Sequence, residues 1–153
     1  MLRVMRGPLP IGGQHRQFAR QGKGAESLPT GSSFKIFALV AALEQGMGLG
    51  YQVDSSPYKV DEKLTITNSE GMGCGSCNIA EALKQSLNTS YYRLMLKLRN
   101  GPSDVADAAH RAGIAESIPG FKHTLSEDGL GGPPGPGVVL GKYESRVSDM
   151  ASA

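Results

Sequence analysis

The sequence predicts a helix-rich α+β fold, in which helices outnumber a few short strands. The first observation is an apolar run of helical character over residues 32–45, and the second is a group of further helical segments over residues 78–113. The third is a short hairpin that lies between them in the chain. A chain of 153 residues is long enough for one domain with its own hydrophobic core.

The N-terminal segment, residues 1–29, shows no helical or strand periodicity. It carries five arginines and lysines against one acid, Glu26, and we predict an irregular segment that is separate from residues 30–153. Its start, "MLRVMRGPLPIGG", has arginines but no apolar run after them, so it does not have the pattern of a signal peptide.

The first predicted helix runs from Ser32 to Gln45 and is apolar on nearly every side ("FKIFALVAAL"). A helix without a polar face is usually buried in a core. Gly46 and Gly48 follow it and fit a helix C-terminus.

The next segment, "YKVDEKLTITN", predicts two short strands around the residues Asp61-Glu62-Lys63. A glycine-rich loop follows, and it holds the two cysteines, Cys74 and Cys77, in a Cys-x-x-Cys pattern. Three interpretations stay open: a local disulfide, two free thiols, or a redox site. A zinc site would need a second pair of ligands, which the sequence lacks.

Two helices are predicted after this loop. Asn78 can cap the first, with Glu81 as the partner in a capping box, and this helix ends near Ser86. Apolar positions resume at Tyr92 and predict a second helix that ends near Asn100.

Ser103 can cap a further helix, "DVADAAHRA", which Gly113 closes. Residues 129–137, "GLGGPPGPG", predict a loop because their prolines and glycines suit neither a helix nor a central strand. The last residues, "KYESRVSDMASA", predict the start of another helix.

Ser32 and Lys35 are three residues apart, which places them on one face of a helix, whereas Ser33 and Lys35 do not face each other. A serine in the first turn lies beside unpaired backbone N–H groups that can hold an oxyanion. A lysine in apolar surroundings loses its proton more easily, as a general base must. In the alternative interpretation, Ser32 or Thr30 only caps the helix and Lys35 reaches to water.

A second Ser-x-x-Lys match, Ser56 to Lys59, lies at a proline beside strand-like residues, so its two side chains would not share a helix face. No group of His, Cys or Asp residues has the spacing of metal ligands, and no cofactor is indicated. The net charge of +2 does not favour a nucleic-acid partner.

The segments "TGSSFKIFALVAALEQG" and "NIAEALKQSLNTSYYRLMLKL" closely resemble the transpeptidase domain of penicillin-binding proteins, above all the bifunctional class A enzymes of mycobacteria and related actinobacteria. The likeness continues through "YQVDSSP", "GCGSCN", "AHRAGI", "HTLSEDG" and "VSDMASA" and covers residues 30–153, about four-fifths of the chain. It implies the α+β fold of penicillin-binding proteins and serine β-lactamases, present here as a helix-rich fragment without most of the central sheet.

The resemblance assigns roles to four residues through the family signatures Ser-x-x-Lys and Ser-x-Asn. Ser32 would be the nucleophile and Lys35 its base or proton shuttle. Ser86 would relay protons, and Asn88 would bond the substrate backbone. A rival match to the second signature, Ser76 to Asn78, comes before the helix and is interpreted as its N-cap.

The resemblance also implies the substrates and the location. The family transfers acyl groups of peptidoglycan stem peptides that end in D-Ala–D-Ala, and penicillins and other β-lactams trap its serine. Its enzymes act in the cell envelope, on the extracytoplasmic face of the plasma membrane. A membrane contact would therefore come only from an N-terminal anchor of the parent protein.

The third family signature, Lys-Thr-Gly or Lys-Ser-Gly, does not occur in the sequence. Residues 1–29 also show little likeness to the family. From both observations we expect a chain truncated at both ends, with little or no turnover by itself and with apolar surface exposed where the missing sheet would pack.

Three alternatives remain. A serine β-lactamase or D,D-carboxypeptidase shares the first signature and the fold. A non-catalytic module could bind peptide or β-lactam without reacting. A small redox protein would need a reactive Cys74.

Overall fold

The computed structural model describes residues 27–153, and the α+β class predicted from the sequence is confirmed. Five α-helices and six short strands make up this part of the chain. The helices are α1 (Lys35–Glu44), α2 (Ile79–Lys84), α3 (Asn88–Lys97), α4 (Pro102–Ala112) and α5 (Val147–Ser152). The strands are β1 (Ser27–Pro29), β2 (Gln52–Asp54), β3 (Tyr58–Lys59), β4 (Thr65–Ile66), β5 (Ser76–Asn78) and β6 (Glu144–Arg146).

Within residues 27–153 the strands form three separate antiparallel pairs, β1 with β6, β2 with β5 and β3 with β4. The pairing of β3 with β4 confirms the hairpin predicted from the sequence. A sheet of only two strands is marginal in water by itself, so these pairs depend on packing against the helices.

The hydrophobic core lies around α1, which packs against α4 and α3. Phe34 and Phe37 meet edge to face, with ring centroids 4.7 Å apart. Side chains from α3 and from the segment before β6 close the core around them. Its fully buried members include Ala42, Leu94, Met95, Val105 and Val138.

Two helix ends agree with the sequence patterns. The side chain of Asn78 accepts a hydrogen bond from the backbone N–H of Glu81 at 2.8 Å and so caps α2. Gly113 ends α4 with φ 117°, a left-handed value that glycine adopts without steric cost. The capping box is only half formed, because the Glu81 carboxylate accepts from Gln85 instead.

The start of α4 differs from the prediction. Gly101 is its N-cap residue and Pro102 its first residue, so Ser103 lies inside the first turn and is not the cap. Proline suits this position because its ring presets φ and the missing N–H has no partner within a helix start.

Three further segments differ from the predictions. A 3₁₀ helix, Pro136–Leu140, begins inside the segment 129–137 that was predicted to be loop. In the C-terminal segment only residues from Val147 onward are helical, because β6 pairs with β1. Of the predicted irregular segment 1–29, residues 1–26 lie outside the described part, and Ser27–Pro29 is the strand β1.

The predicted glycine-rich loop is shorter than expected, because Ser76–Asn78 pairs with β2 as strand β5. Cys74 and Cys77 are joined by a disulfide bond, so of the three interpretations the structure has the local disulfide. None of the helices in the described part is long and apolar enough to span a bilayer.

Candidate active site

Ser32 lies in a 3₁₀ turn, Gly31–Phe34, that leads directly into α1. Phe34 and Lys35 point into the protein and are buried, whereas Ser32 and Ser33 are exposed. The Ser33 hydroxyl donates to the backbone carbonyl of Thr30 at 2.6 Å. Ser33 therefore closes the turn, and Ser32 is the serine that faces Lys35.

The structure brings the four residues of the two signatures together around the Lys35 ammonium group. Its Nζ lies 2.8 Å from Ser32 Oγ and 3.0 Å from Ser86 Oγ. It also lies 2.8 Å from the Ser86 carbonyl oxygen and 2.7 Å from Asn88 Oδ1. The amine thus links the exposed serine of one segment to the turn between α2 and α3.

The Lys35 amine has one more oxygen neighbour than a charged ammonium has hydrogens to donate. A neutral amine donates two hydrogens and accepts one, and a serine hydroxyl can supply the accepted hydrogen. Burial lowers the pKa of Lys35 from 10.5 to about 8. The neutral amine is therefore a minor but accessible form near physiological pH, and this form can accept the proton of Ser32 Oγ.

Ser86 lies in the turn between α2 and α3 with φ 55°, an unusual left-handed backbone for a residue other than glycine. The turn is fixed on both sides, because Ser86 N–H donates to Leu83 O at 2.8 Å and Leu87 N–H donates to Ala82 O at 2.9 Å. The Leu87 side chain is fully buried. This conformation directs both the carbonyl and the hydroxyl of Ser86 to the same amine.

Asn88 is the first residue of α3, and both ends of its side-chain amide have partners in the chain. Oδ1 faces Lys35, and Nδ2 donates to the carbonyl of Thr67 at 3.1 Å. The Thr67 carbonyl, which has no hydrogen to give, fixes which end of the amide turns to the lysine.

The rival matches do not form sites. Ser56 Oγ donates to Asp54 at 2.7 Å, and Lys59 belongs to strand β3 rather than to a helix. The Ser76–Asn78 match forms β5 and the α2 cap. In residues 27–153 no group of His, Cys, Asp and Glu side chains could hold a metal ion.

Two groups of residues that contact this site had no signal in the sequence. Thr67 and Asn68 follow β4 and contact Asn88 and its neighbour Thr89. Gly31, directly before Ser32, contacts Gly141, since Gly31 N–H donates to Gly141 O at 3.3 Å. Both contacts join segments that are far apart in the chain, and only the folded chain reveals them.

The fold is that of penicillin-binding protein transpeptidase domains. A sequence model of the "Penicillin binding protein transpeptidase domain" matches residues 17–128, and the chain therefore belongs to this family. The matched range begins before residue 30, inside the segment 1–29 that we expected to differ from the family.

Two relatives are closely similar in sequence. Penicillin-binding protein 1A of Mycolicibacterium smegmatis is 75% identical over 126 residues, and Penicillin-binding protein 1A of Mycobacterium tuberculosis is 76% identical over 126 residues. Each match covers 82% of this chain. The chain spans only 16% and 15% of the length of these two relatives.

A solved structure of PonA1 from Mycobacterium tuberculosis in complex with penicillin V aligns with a TM-score of 0.81 and 73% identity. The alignment covers 84% of this chain and 34% of the PonA1 chain. A penicillin G acyl-enzyme complex of penicillin-binding protein A from M. tuberculosis aligns with a TM-score of 0.58 at 20% identity, which supports the fold alone.

Proposed function

We propose that this chain carries the acylation site of a peptidoglycan D,D-transpeptidase, with Ser32 as nucleophile and Lys35 as its base. The observation that carries the proposal is the 2.8 Å contact between the exposed Ser32 Oγ and the buried Lys35 Nζ. An activated nucleophile needs a base within hydrogen-bond reach that loses its proton easily. Lys35 meets both requirements, because its Nζ lies 2.8 Å from Ser32 Oγ and burial lowers its pKa to about 8.

In the proposed first step, Ser32 Oγ gives its proton to the neutral Lys35 amine and attacks the carbonyl carbon between the two D-alanines of a stem peptide. The C–N bond then breaks and an acyl-enzyme ester forms. The leaving D-alanine takes up a proton, which Lys35 can return through the Ser86 hydroxyl at 3.0 Å.

In the proposed second step, an amine of a neighbouring stem peptide attacks the ester. A new amide cross-link forms, the Ser32 oxygen leaves, and the proton lost by the amine restores the Ser32 hydroxyl through Lys35. Splitting one amide exchange into two easier steps is the usual benefit of covalent catalysis. A β-lactam acylates Ser32 in the same way but keeps its leaving group attached, which blocks the second step.

We expect Asn88 to bond the backbone of the stem peptide. Its Oδ1 and Nδ2 already contact Lys35 and Thr67, so the substrate would share or displace one of these contacts. By family, the site would act in the cell envelope, on the extracytoplasmic face of the plasma membrane.

The signature Lys-Thr-Gly is absent from the sequence, and with it the second oxyanion donor that the family takes from that strand. Losing one such donor typically lowers the rate by about 10²–10³-fold. We therefore expect this chain to be acylated slowly and to turn over stem peptides little or not at all.

The test is mass spectrometry of the chain after incubation with a penicillin, beside the variants Ser32→Ala and Ser33→Ala. Ser33 is the matched control, because its hydroxyl is exposed and bonds Thr30 rather than Lys35. We expect the parent and Ser33→Ala to gain the whole mass of the drug, since ring opening releases no fragment. Ser32→Ala should gain nothing.

An unmodified parent whose circular dichroism shows a folded chain would contradict the proposed acylation by this chain. Steady release of hydrolysed penicillin would instead support the β-lactamase alternative. Equal binding without covalent adduct by the parent and Ser32→Ala would support a non-catalytic binding module.

A further inference from the structure

Helix α3 begins with the site residue Asn88, but its own sequence gives it no side-chain cap. The N-cap residue is Leu87, whose apolar side chain cannot accept a hydrogen bond and lies fully buried. The first N–H groups of a helix need acceptors from outside the helix when no local cap is present.

Asn68 supplies such an acceptor from a distant part of the chain. Its Oδ1 accepts from the backbone N–H of Thr89 at 3.0 Å and lies 3.1 Å from the Thr89 hydroxyl. Thr89 is buried and directly follows Asn88. Asn68 therefore holds the first turn of α3 from outside the helix.

The other end of the Asn68 amide ties two further segments to the same place. Its Nδ2 donates to the carbonyl of Ser55 at 3.0 Å and to the carbonyl of Met72 at 2.9 Å. Both Nδ2 hydrogens of Asn68 are thus donated, and its Oδ1 accepts from the Thr89 N–H. Such a fully bonded side chain fixes the backbone that precedes it, including the Thr67 carbonyl.

We propose that Asn68 is a positioning residue, which caps α3 and holds Thr67 so that Asn88 presents Oδ1 to Lys35. Asn68 reaches Asn88 in two ways. It bonds Thr89, the neighbour of Asn88, and it holds Thr67, whose carbonyl accepts from Asn88 Nδ2 at 3.1 Å. The Lys35 amine bonds Ser32, Ser86 and Asn88 but not Asn68, so Asn68 acts through Asn88 and not on the substrate. The catalytic meaning of this inference rests on the proposed function.

The test compares the parent with Asn68→Leu, which keeps the approximate size of the side chain but removes all its hydrogen bonds. Asn100→Leu is the matched control, because Asn100 is exposed in the turn between α3 and α4 and its side-chain amide bonds only Asp104. Two quantities are measured on each folded variant: the rate of acylation by a penicillin, and the nitrogen-15 signal of the Asn88 side-chain amide as a function of pH.

The Asn88 amide signal reports the contact with Lys35, because its shift should follow the ionisation of the amine that its Oδ1 faces. In Asn68→Leu we expect this pH-dependent shift to be lost, and acylation to slow by about tenfold or more. Asn100→Leu should match the parent in both. A folded Asn68→Leu chain with the parent's amide titration and acylation rate would overturn the inference.

If Asn68→Leu does not fold, the isosteric Asn68→Asp variant takes its place. It keeps the acceptor for Thr89 but loses both donations, to Ser55 and Met72. A parent-like Asn88 titration in this variant would overturn the role of Asn68 in holding Thr67. If the parent itself is not acylated, the proposed function fails for this chain, while the Asn88 titration still decides the role of Asn68.

Discussion

At the scale of single residues, the most unusual group of this protein is the Lys35 amine. It is a basic side chain with no exposed surface, and four oxygen atoms lie within 3.0 Å of its nitrogen. Burying a cation costs free energy even when it is hydrogen-bonded. The cost appears as a lowered pKa, and the same lowered pKa makes the amine a usable base.

This ionisation should make the protein more stable as the pH rises through the range of Lys35. The folded pKa of about 8 lies below the ordinary 10.5, so the unfolded chain binds more protons at Lys35 between these values. The free energy of unfolding should therefore increase by about 2 kcal/mol between about pH 7 and about pH 9.5, relative to Lys35→Met. Urea titrations at several pH values measure it.

The comparison with Lys35→Met isolates the lysine, because all other ionisable groups stay the same in both chains. The range stops near pH 9.5 because both chains lose stability at higher pH, where the buried Tyr91, whose pKa burial raises, would have to ionise on unfolding. Parallel pH curves for the parent and Lys35→Met would show that Lys35 keeps its ordinary pKa in the folded chain.

At the scale of elements, the turn that carries Ser32 rests on the end of the 3₁₀ helix Pro136–Leu140. Gly141 ends that helix with φ 71°, and a Cβ atom on it would come within 2.1 Å of the Gly31 carbonyl oxygen. The two backbones can approach so closely only because Gly141 has no side chain, whereas a Cβ atom on Gly31 would have open space around it. This contact sets the position of the residue directly before the candidate nucleophile.

Gly141→Ala should therefore destabilise the protein and displace Ser32. We expect a loss of about 2–4 kcal/mol in the free energy of unfolding, from a strained backbone plus a steric overlap, and slower acylation by penicillin. Gly46→Ala is the matched control, since Gly46 also has a positive φ of 86° but open space around it. Strain alone should cost Gly46→Ala about 1 kcal/mol and leave acylation unchanged.

Chemical denaturation and adduct formation measured on the same samples check both effects. Equal losses of stability in the two variants would mean that the contact between Gly31 and Gly141 is not tight. An unchanged acylation rate in Gly141→Ala would mean that the turn tolerates the displacement.

At the scale of the whole molecule, one face of α1 has no partner within the part of the chain that the structure describes. Ile36, Val40 and Leu43 recur at helical spacing and are 43%, 37% and 44% exposed. The opposite face of the same helix forms the centre of the core. These three side chains therefore form an apolar strip that no described residue covers.

This exposed face should make the isolated chain associate with itself. The double variant Ile36→Gln with Leu43→Gln should lower the average mass at high concentration, because it removes apolar area that is shielded when molecules meet. Sedimentation velocity over a range of concentrations measures this. Leu96→Gln is the control, since Leu96 is equally exposed at 45% but belongs to α3.

A parent chain that stays monomeric at all concentrations would contradict this expectation. If Leu96→Gln lowers the association as strongly as the double variant does, the association is nonspecific and does not depend on the α1 face.

The sequence by itself determined the local structure and the identity of the candidate residues. The spacing of Ser32 and Lys35, the cap at Asn78 and the stop at Gly113 follow from contacts within one helical turn, which neighbouring residues encode. Ser86 and Asn88 were predicted from the resemblance to family signatures. Their spacing in the sequence does not by itself determine their distance from Lys35.

Only the tertiary structure decided how these parts meet. Lys35 contacts Ser86 and Asn88 across 51 and 53 residues, and Asn68 caps a helix that begins 20 residues later in the chain. The strand pair β1–β6 joins the two ends of the described part. Ser27–Pro29 is therefore a strand where an irregular segment was predicted, and Glu144–Arg146 is a strand where a helix was predicted. Such contacts depend on how whole elements pack around a shared core, and local residue patterns contain no information about that packing.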